Sequence, residues 1–472
     1  MLTDAYHLAV LAGCMALLMT LVIRGKSIFV VAPLCALIAA TLSGVDPVVQ
    51  MNDAYMAGFA DYVKRFYFIF ALGAVFGKLM EKSGAAVSIA RAVGGGLGKD
   101  RACLAVVLSS AVLTYGGVSL FVVGFSVFPL AVHLFREANL PRRFIPAAIA
   151  FGSITFTMTS AGSPEIQNLI PIKYLVDAAT GAPLTDARAG WPVSLIVAVV
   201  MFAIGQWYLE RAIRKDINAG NGFEVWGTDA PQTTSDAASG PSISAAILPL
   251  VVTLLSLNVL PWASHQLADQ WFSSPNFSTV HLILSRIPED GTLAIFLGVM
   301  TGVLVLRPWL SETWDCFGDG FYNGLVAVGS TSAMVGFGAV IKTLPAFQLV
   351  VNCVTHLPGE PLISVAIAVA VIAAIAGSAS GGQGIALPIL KPIYVDELGV
   401  SPRAMHRVVA IASGTLDSLP ANGYVVMLIR NICGETHSRA YGPMFVTTVL
   451  IPAIGVAMAI TLFKFFPEWG RC

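Results

Sequence analysis

The chain has 472 residues, 56% hydrophobic and 11% charged, and its 27 basic and 27 acidic residues leave a formal net charge of zero. A soluble globular protein carries about 25% charged residues, so there is too little polar surface here to face water throughout, and a lipid bilayer is the expected surroundings. The balanced charge argues against nucleic acid as a partner. The seven cysteines form no C-x-x-C pair, and no H-E-x-x-H occurs, so neither a metal nor any other cofactor is expected.

In chain order, a first apolar run covers 7–23, with no basic residue before it, so a cleaved leader is not expected. Further runs long enough to cross a bilayer, about 20 mostly apolar residues, lie near 28–45, 66–80, 191–209, 244–263, 291–306, 323–342 and 441–465. The regions 142–176 and 404–434 are long enough to cross but are interrupted by polar residues. Two others, 102–135 and 361–395, are apolar on both sides of a glycine-rich centre and read as re-entrant hairpins. With Arg24 and Lys26 in the cytoplasm, the Lys and Arg bias puts both termini outside, and Lys391, Arg403 and Arg407 fall outside as exceptions.

The halves resemble each other. G-A-V at 73–75 recurs at 338–340, and Gly116-Gly117 recurs as Gly381-Gly382, both at an offset of 338 − 73 = 381 − 116 = 265. A Pro-Arg pair follows each hairpin, then an interrupted span with a glycine (Gly152, Gly414) and a proline (Pro164, Pro420). The expected architecture is an all-α polytopic membrane protein of two inverted repeats, 1–215 and 243–472, each with five crossings, one of them broken, plus one hairpin. Residues 216–242 read as a cytoplasmic linker.

Four interrupted segments then meet near the pseudo-twofold axis, and irregular backbone at membrane depth is tolerated only where protein buries it or a wet cavity needs it. Broken helices turn free N–H groups into the cavity, which suits an anion. T-Y-G-G-V-S (114–119) offers Thr114, Tyr115, Gly116, Gly117 and Ser119, and T-F-T-M-T-S-A-G-S-P-E-I-Q-N (155–168) offers Thr159, Ser160, Ser163 and Asn168. G-S-A-S-G-G-Q-G (377–384) offers Ser378, Ser380, Gly381, Gly382 and Gln383, and S-G-T-L-D-S-L-P-A-N-G (413–423) offers Ser418 and Asn422. No Arg or Lys lies in the four segments, so a carboxylate would be held by amides, hydroxyls and helix ends. Bulky replacement at Gly117 or Gly382 is expected to weaken binding and spare the fold.

Asp417 is a carboxyl at the centre of a span, a costly placement and hence a functional candidate. A carboxyl withdrawn from water holds its proton more readily, which suits proton coupling. The plainer role is a cap on the half-helix after Pro420. Glu165, after Pro164, has the same two readings. G-G-G-L-G-K-D (94–100) fails the P-loop spacing. His133 and His406, beside basic residues near span ends, read as interfacial, and Lys342 as snorkelling.

The segments L-T-Y-G-G-V-S-L-F-V-V-G-F (113–125), I-T-F-T-M-T-S-A-G-S-P-E-I-Q-N-L-I-P (154–171), I-A-S-G-T-L-D-S-L-P-A-N-G (411–423) and I-C-G-E-T-H (432–437) resemble the gluconate permease family of proton symporters, within the ion transporter superfamily. The first two are more similar to the branch for short hydroxy acids such as 3-hydroxybutyrate, and G-G-Q-G (381–384) looks like hairpin tips of 2-hydroxycarboxylate carriers. The resemblance implies a bacterial inner-membrane homodimer with a scaffold domain and an elevator-like transport domain whose hairpin tips and helix breaks bind the substrate. It implies proton-coupled symport of a small sugar or hydroxy acid. Sodium-coupled di- or tricarboxylate symport is the alternative, although Asn-based sodium motifs are not evident at the hairpin glycines. An intramembrane enzyme would need Asp417 and Glu165, from opposite repeats, to share one site, and no Y-D or G-x-G-D context accompanies them, so an enzyme is not expected.

Overall fold

The computed structural model describes residues 2–24, 26–97, 101–118, 120–156, 160–224, 240–271, 292–310, 312–347, 349, 360–376, 378–420 and 422–471. The first half contains α1 (Leu2–Ile23), α2 (Ile28–Leu42), α3 (Ala57–Lys82), α4 (Ala85–Leu97), α5 (Ala102–Tyr115) and α6 (Leu120–Glu137). Next come α7 (Ile145–Ala150, continued as a π-helix over Phe151–Phe156), α8 (Ile166–Tyr174) and α9 (Trp191–Asn218). The second half has α10 (Ile243–Trp271), α11 (Thr292–Leu306), α12 (Thr313–Thr343), α13 (Pro361–Ala376), α14 (Ala379–Lys391) and α15 (Pro402–Leu416). It ends in α16 (Gly423–Val426, continued as a π-helix over Met427–Ile432) and α17 (His437–Phe465). No β-sheet occurs among the described residues. The helices of 191–218, 292–309, 313–343 and 437–465 are long and apolar enough to cross a bilayer unaided.

The interruptions fall where polar residues, Gly and Pro break the apolar runs. Both glycine-rich regions fold as a pair of packed helices, α5 on α6 and α13 on α14. Both interrupted spans are two helical pieces separated by irregular chain: α7 and α8, then α15 and α16. Residues 225–239 of the expected linker lie outside the described residues. Its start does not: α9 runs through Asp216 to Asn218, and buried Asp216 pairs with Arg143 at 2.7 Å. The boundary placed at 216 is therefore corrected, because that carboxylate is tied into the folded part.

The helices sort into two layers. One holds α1–α3 and α10–α12, the first three described helices of each half, and the other holds the remainder. The first layer is built on the seam between α3 and α12. Glycines make that seam close: a Cβ on Gly58 would stand 2.8 Å from Ala339 Cβ, one on Gly324 would stand 2.5 Å from Ala71 Cα, and one on Gly320 2.6 Å from Val75 Cα. The pairing 58–339, 71–324 and 75–320 descends on one helix as it climbs on the other, so α3 and α12 are antiparallel. Without water to drive apolar association, backbone approach through small residues is how helices pack in lipid.

Candidate functional site

The two broken helices are also antiparallel, and each is fastened by its beginning to the loop that ends the other. At the start of α7, Arg142 Nη2 donates to the carbonyl of Cys433, beyond α16, at 2.9 Å. At the start of α15, Arg403 pairs with Asp186, beyond α8, at 2.6 Å, and Arg407 Nε donates to the Ala189 carbonyl at 2.9 Å. Pro402 at the first turn, with Ser401 capping Ala404 N–H, sets where α15 begins.

Asn168 on α8 joins these parts. Its Nδ2 donates to the carbonyls of Ser163 (2.8 Å) and Ala187 (2.9 Å), and its Oδ1 accepts from Arg407 Nη2 (3.0 Å) and His406 Nε2 (3.1 Å). The other ring nitrogen of His406 meets the Thr185 hydroxyl at 2.8 Å. An amide side chain has two donor hydrogens and two acceptor lone pairs, so Asn168 is saturated within the fold. Its expected part as a substrate contact is replaced by one as a joint between the repeats. His406 and Arg407 are both fully buried within the fold, which corrects the interfacial reading of His406.

The first break is shaped around its own loop. Gly162 (φ 80°) donates to the Ala187 carbonyl at 2.7 Å, and Ala161 N–H donates to Ser194 Oγ at 2.7 Å. Tyr115, from the first hairpin, donates its hydroxyl to the Ala161 carbonyl at 2.9 Å, so the hairpin tip and the break form one unit. Gly117 (φ 96°) needs glycine for its backbone, and its α-carbon faces Pro164 of the break; Gly116 is pressed against Leu250 of α10. The Thr114 hydroxyl bonds back to Ser110 in its own helix, and Ser163 Oγ accepts from Glu165 N–H. Ser160 lies on the break, half-buried, while Ser119 and Thr159 lie outside the described residues. Glu165 stands at the N-cap position of α8 and is buried, without the side-chain bond of an N-cap; its carboxyl stays beside the Ile166 N–H at the start of that helix.

At the second break the helix after Pro420 is capped by Asn422, whose Oδ1 accepts from Tyr424 and Val425 N–H at 2.8 and 3.1 Å. Asp417 does something else. Its Oδ2 accepts from Ala379 N–H at 3.2 Å and its Oδ1 from the Ser418 hydroxyl at 2.9 Å. The carboxyl therefore caps α14, the second arm of the other hairpin, 38 positions earlier in the chain. This corrects the plainer expectation for Asp417, a cap on the half-helix after Pro420; Asn422, expected as a substrate contact, supplies that cap.

The α14 tip is built from S-A-S-G-G-Q. Ser378 is its N-cap, accepting from Gly381 N–H at 3.3 Å and meeting the Ser380 hydroxyl at 3.0 Å. Gln383 is fully buried; Nε2 donates to Ser413 of α15 at 2.8 Å, and Oε1 has no partner. Gly382 is a packing glycine, since a Cβ there would lie 2.4 Å from Ala373 Cα in the facing hairpin arm. The expectation that a bulky residue at 382 spares the fold is revised on that ground.

The arrangement brings a carboxyl, three hydroxyls and a buried amide to one helix start, beside the joint of the two broken helices. Sequence reasoning missed Arg407 and His406. Both lie in a helix whose buried residues run without a break from Ala404 to Thr415.

A family model described as GntP family permease matches residues 6–465. The chain is 34% identical to an uncharacterized transporter, YxjC, of Bacillus subtilis, over 97% of this chain and 99% of that one. It is 23% identical to the D-serine transporter DsdX of Escherichia coli, over 93% of each chain. Among solved structures, the YdaH transporter of Alcanivorax borkumensis has a similar fold, with a TM-score of 0.55 and 16% identity over 88% of each chain.

Proposed function

The chain belongs to the GntP family of permeases, a polytopic membrane transporter and not an enzyme, and from that premise we propose that it is a proton-coupled symporter of a small organic acid in a bacterial inner membrane. The observation that carries the reading is the Asp417 carboxyl on the Ala379 N–H. A protonatable group that caps the α14 tip ties proton occupancy to the geometry of the helix start where an anion would sit. Protonated, the carboxyl loses charge and releases the helix dipole for a bound carboxylate.

Substrate class is inferred from the polar set. Hydroxyl donors at Ser378, Ser380 and Ser418 with the amide of Gln383 suit a short acid bearing a hydroxyl, such as gluconate or 3-hydroxybutyrate. D-serine, the substrate named for one relative, has the same pairing of carboxylate and hydroxyl, and it joins the substrates to test.

An elevator movement fits the division into two layers, three helices of each half in one and the hairpins and broken helices in the other. The hairpin arms, 13 to 18 residues long, reach roughly 20 to 27 Å at 1.5 Å per residue, short of a ~30 Å hydrocarbon core. The first layer would then be the stationary one and the site of homodimer contact.

The test is uptake into proteoliposomes under an inward proton gradient, with voltage clamped and sodium absent, for gluconate, 3-hydroxybutyrate, lactate, citrate and D-serine. Proton-dependent accumulation of one of them is expected. Accumulation only on adding sodium would replace the proton by sodium, with Asp417 as a candidate sodium ligand.

A further inference from the structure

Tyr62 is an aromatic of the first layer in an unusual position. It lies on α3, is fully buried, and its hydroxyl has no hydrogen-bond partner. A phenol that is buried in a fold normally finds one. Its ring lies along α14: a Cβ at Gly384 would stand 3.0 Å from Tyr62 Cε2 and 3.2 Å from Cδ2. Its hydroxyl is turned to Ser380, close to it yet outside hydrogen-bonding geometry. Ser380 and Gly384 are four residues apart and share one helix face, so the tyrosine runs up that face with its oxygen at the first turn. Glycine at 384 is what lets the ring lie there.

A second orphan stands at the same helix start. Gln383 Oε1 is fully buried with no donor to accept from, although its Nε2 is engaged by Ser413. One unpaired donor and one unpaired acceptor thus flank the α14 tip, which already offers the Ser378–Ser380 hydroxyl pair and the Asp417 carboxyl. Either orphan alone would be a small flaw of packing. Together, at the N-terminal turn of a 13-residue helix, they are the complement of a molecule that carries an acceptor and a hydroxyl.

We propose that Tyr62 is a substrate ligand contributed by the first layer, its hydroxyl donating to the carboxylate of the bound acid while Gln383 Oε1 accepts from the acid's hydroxyl. The proposal rests on the organic-acid reading and extends the site beyond the hairpins and broken helices. It makes α3 part of substrate recognition, so selectivity is set where the two layers meet. No bond is made or broken; the anion is held by a charge-assisted hydrogen bond.

The experiment is solute counterflow at equal pH on both sides, which reads binding and exchange without proton drive, for the same five compounds and the amide of whichever acid is carried. Tyr62→Phe removes one oxygen from a buried ring and keeps its packing. It is expected to raise the exchange KM by about 10- to 100-fold with little change in maximal rate, and to narrow the preference for the acid over its amide by a similar factor. Gly384→Ala, whose Cβ displaces the ring, is expected to behave alike. Tyr394→Phe is the control, since its hydroxyl is equally buried and unpaired but lies beyond the far end of α14; its KM should not move. A wild-type KM and wild-type acid-to-amide ratio in Tyr62→Phe would overturn the proposal while leaving the organic-acid reading intact. Failure of the unaltered protein to exchange any of the five compounds would overturn both.

Discussion

The Arg407 guanidinium donates to Asn168 Oδ1 at 3.0 Å across 239 positions of chain. A fully buried cation is thus held by neutral acceptors, two loop carbonyls and one side-chain amide, with its Nη1 left unpaired. Because Asn168 also takes His406, one amide on α8 holds two neighbouring residues of α15.

Replacing Asn168 by Leu keeps the volume but leaves Arg407 and His406 short of an acceptor. Loss of one partner of a buried charge costs on the order of 3–5 kcal/mol. The expected outcome is a large fall in the melting temperature of the detergent-purified protein, or its loss as a monodisperse species. A melting temperature within a few degrees of the parent would show that the joint is dispensable.

Asp417→Asn retains one acceptor oxygen for Ala379 N–H but no exchangeable proton. Proton-driven accumulation should disappear, while counterflow at equal pH continues at a rate within about tenfold of the parent if the carboxamide keeps one of its two hydrogen bonds. Undiminished accumulation would remove Asp417 from the coupling step.

Gly382 and Gly442 give a matched pair of helix glycines. A methyl at 382 collides with the Ala373 backbone, whereas nothing lies within 4 Å of one at 442. Gly382→Ala should reduce the yield of folded protein, since overpacking costs about 1–3 kcal/mol, and Gly442→Ala should leave it equal or slightly raised. Equal behaviour in a thermal-unfolding assay would contradict the close hairpin packing.

The layered division predicts different outcomes for two kinds of tether. A cysteine pair joining α3 to α12, which pack against each other within one layer, should spare uptake when oxidised. A cross-link between α12 and α14, which touch across the layers, should arrest it reversibly. Full transport with the second pair oxidised would argue against relative movement of the layers.

Much of the architecture was legible because polar residues, Gly and Pro are conspicuous inside apolar runs. The helix breaks near Gly116, Ser378, Ser160 and Asp417 stand inside the segments that their composition marked. Which atoms face which was not legible. Gly382 and Gly117 look alike in sequence, yet one is packed against an α-carbon and the other has a backbone only glycine adopts freely. Asp417 was read against its sequence neighbours, while its cap partner came from another element. Charged residues near span ends usually reach toward water, and nothing in P-R-A-M-H-R distinguishes an arginine that turns inward. Tyr62 was hidden among aromatics for the same reason: its significance is an absent partner, which only a folded structure reveals.

The crossed fastening of the broken helices has a consequence for synthesis. Arg142 meets Cys433 after 291 positions, and Arg403 meets Asp186 after 217. During translation, Asp186 and Asn168 enter the membrane region with no cation to receive them until the ribosome has added more than two hundred residues. Polar side chains at that depth without partners are costly, so the first half must wait in a provisional state, shielded by the insertion machinery or held near the lipid headgroups. Cys433 and the helix behind it follow, and they close the layer. A chain cut before Cys433 would leave Arg142, in the N-terminal half, without that partner, a target for membrane proteases rather than a stable half-protein.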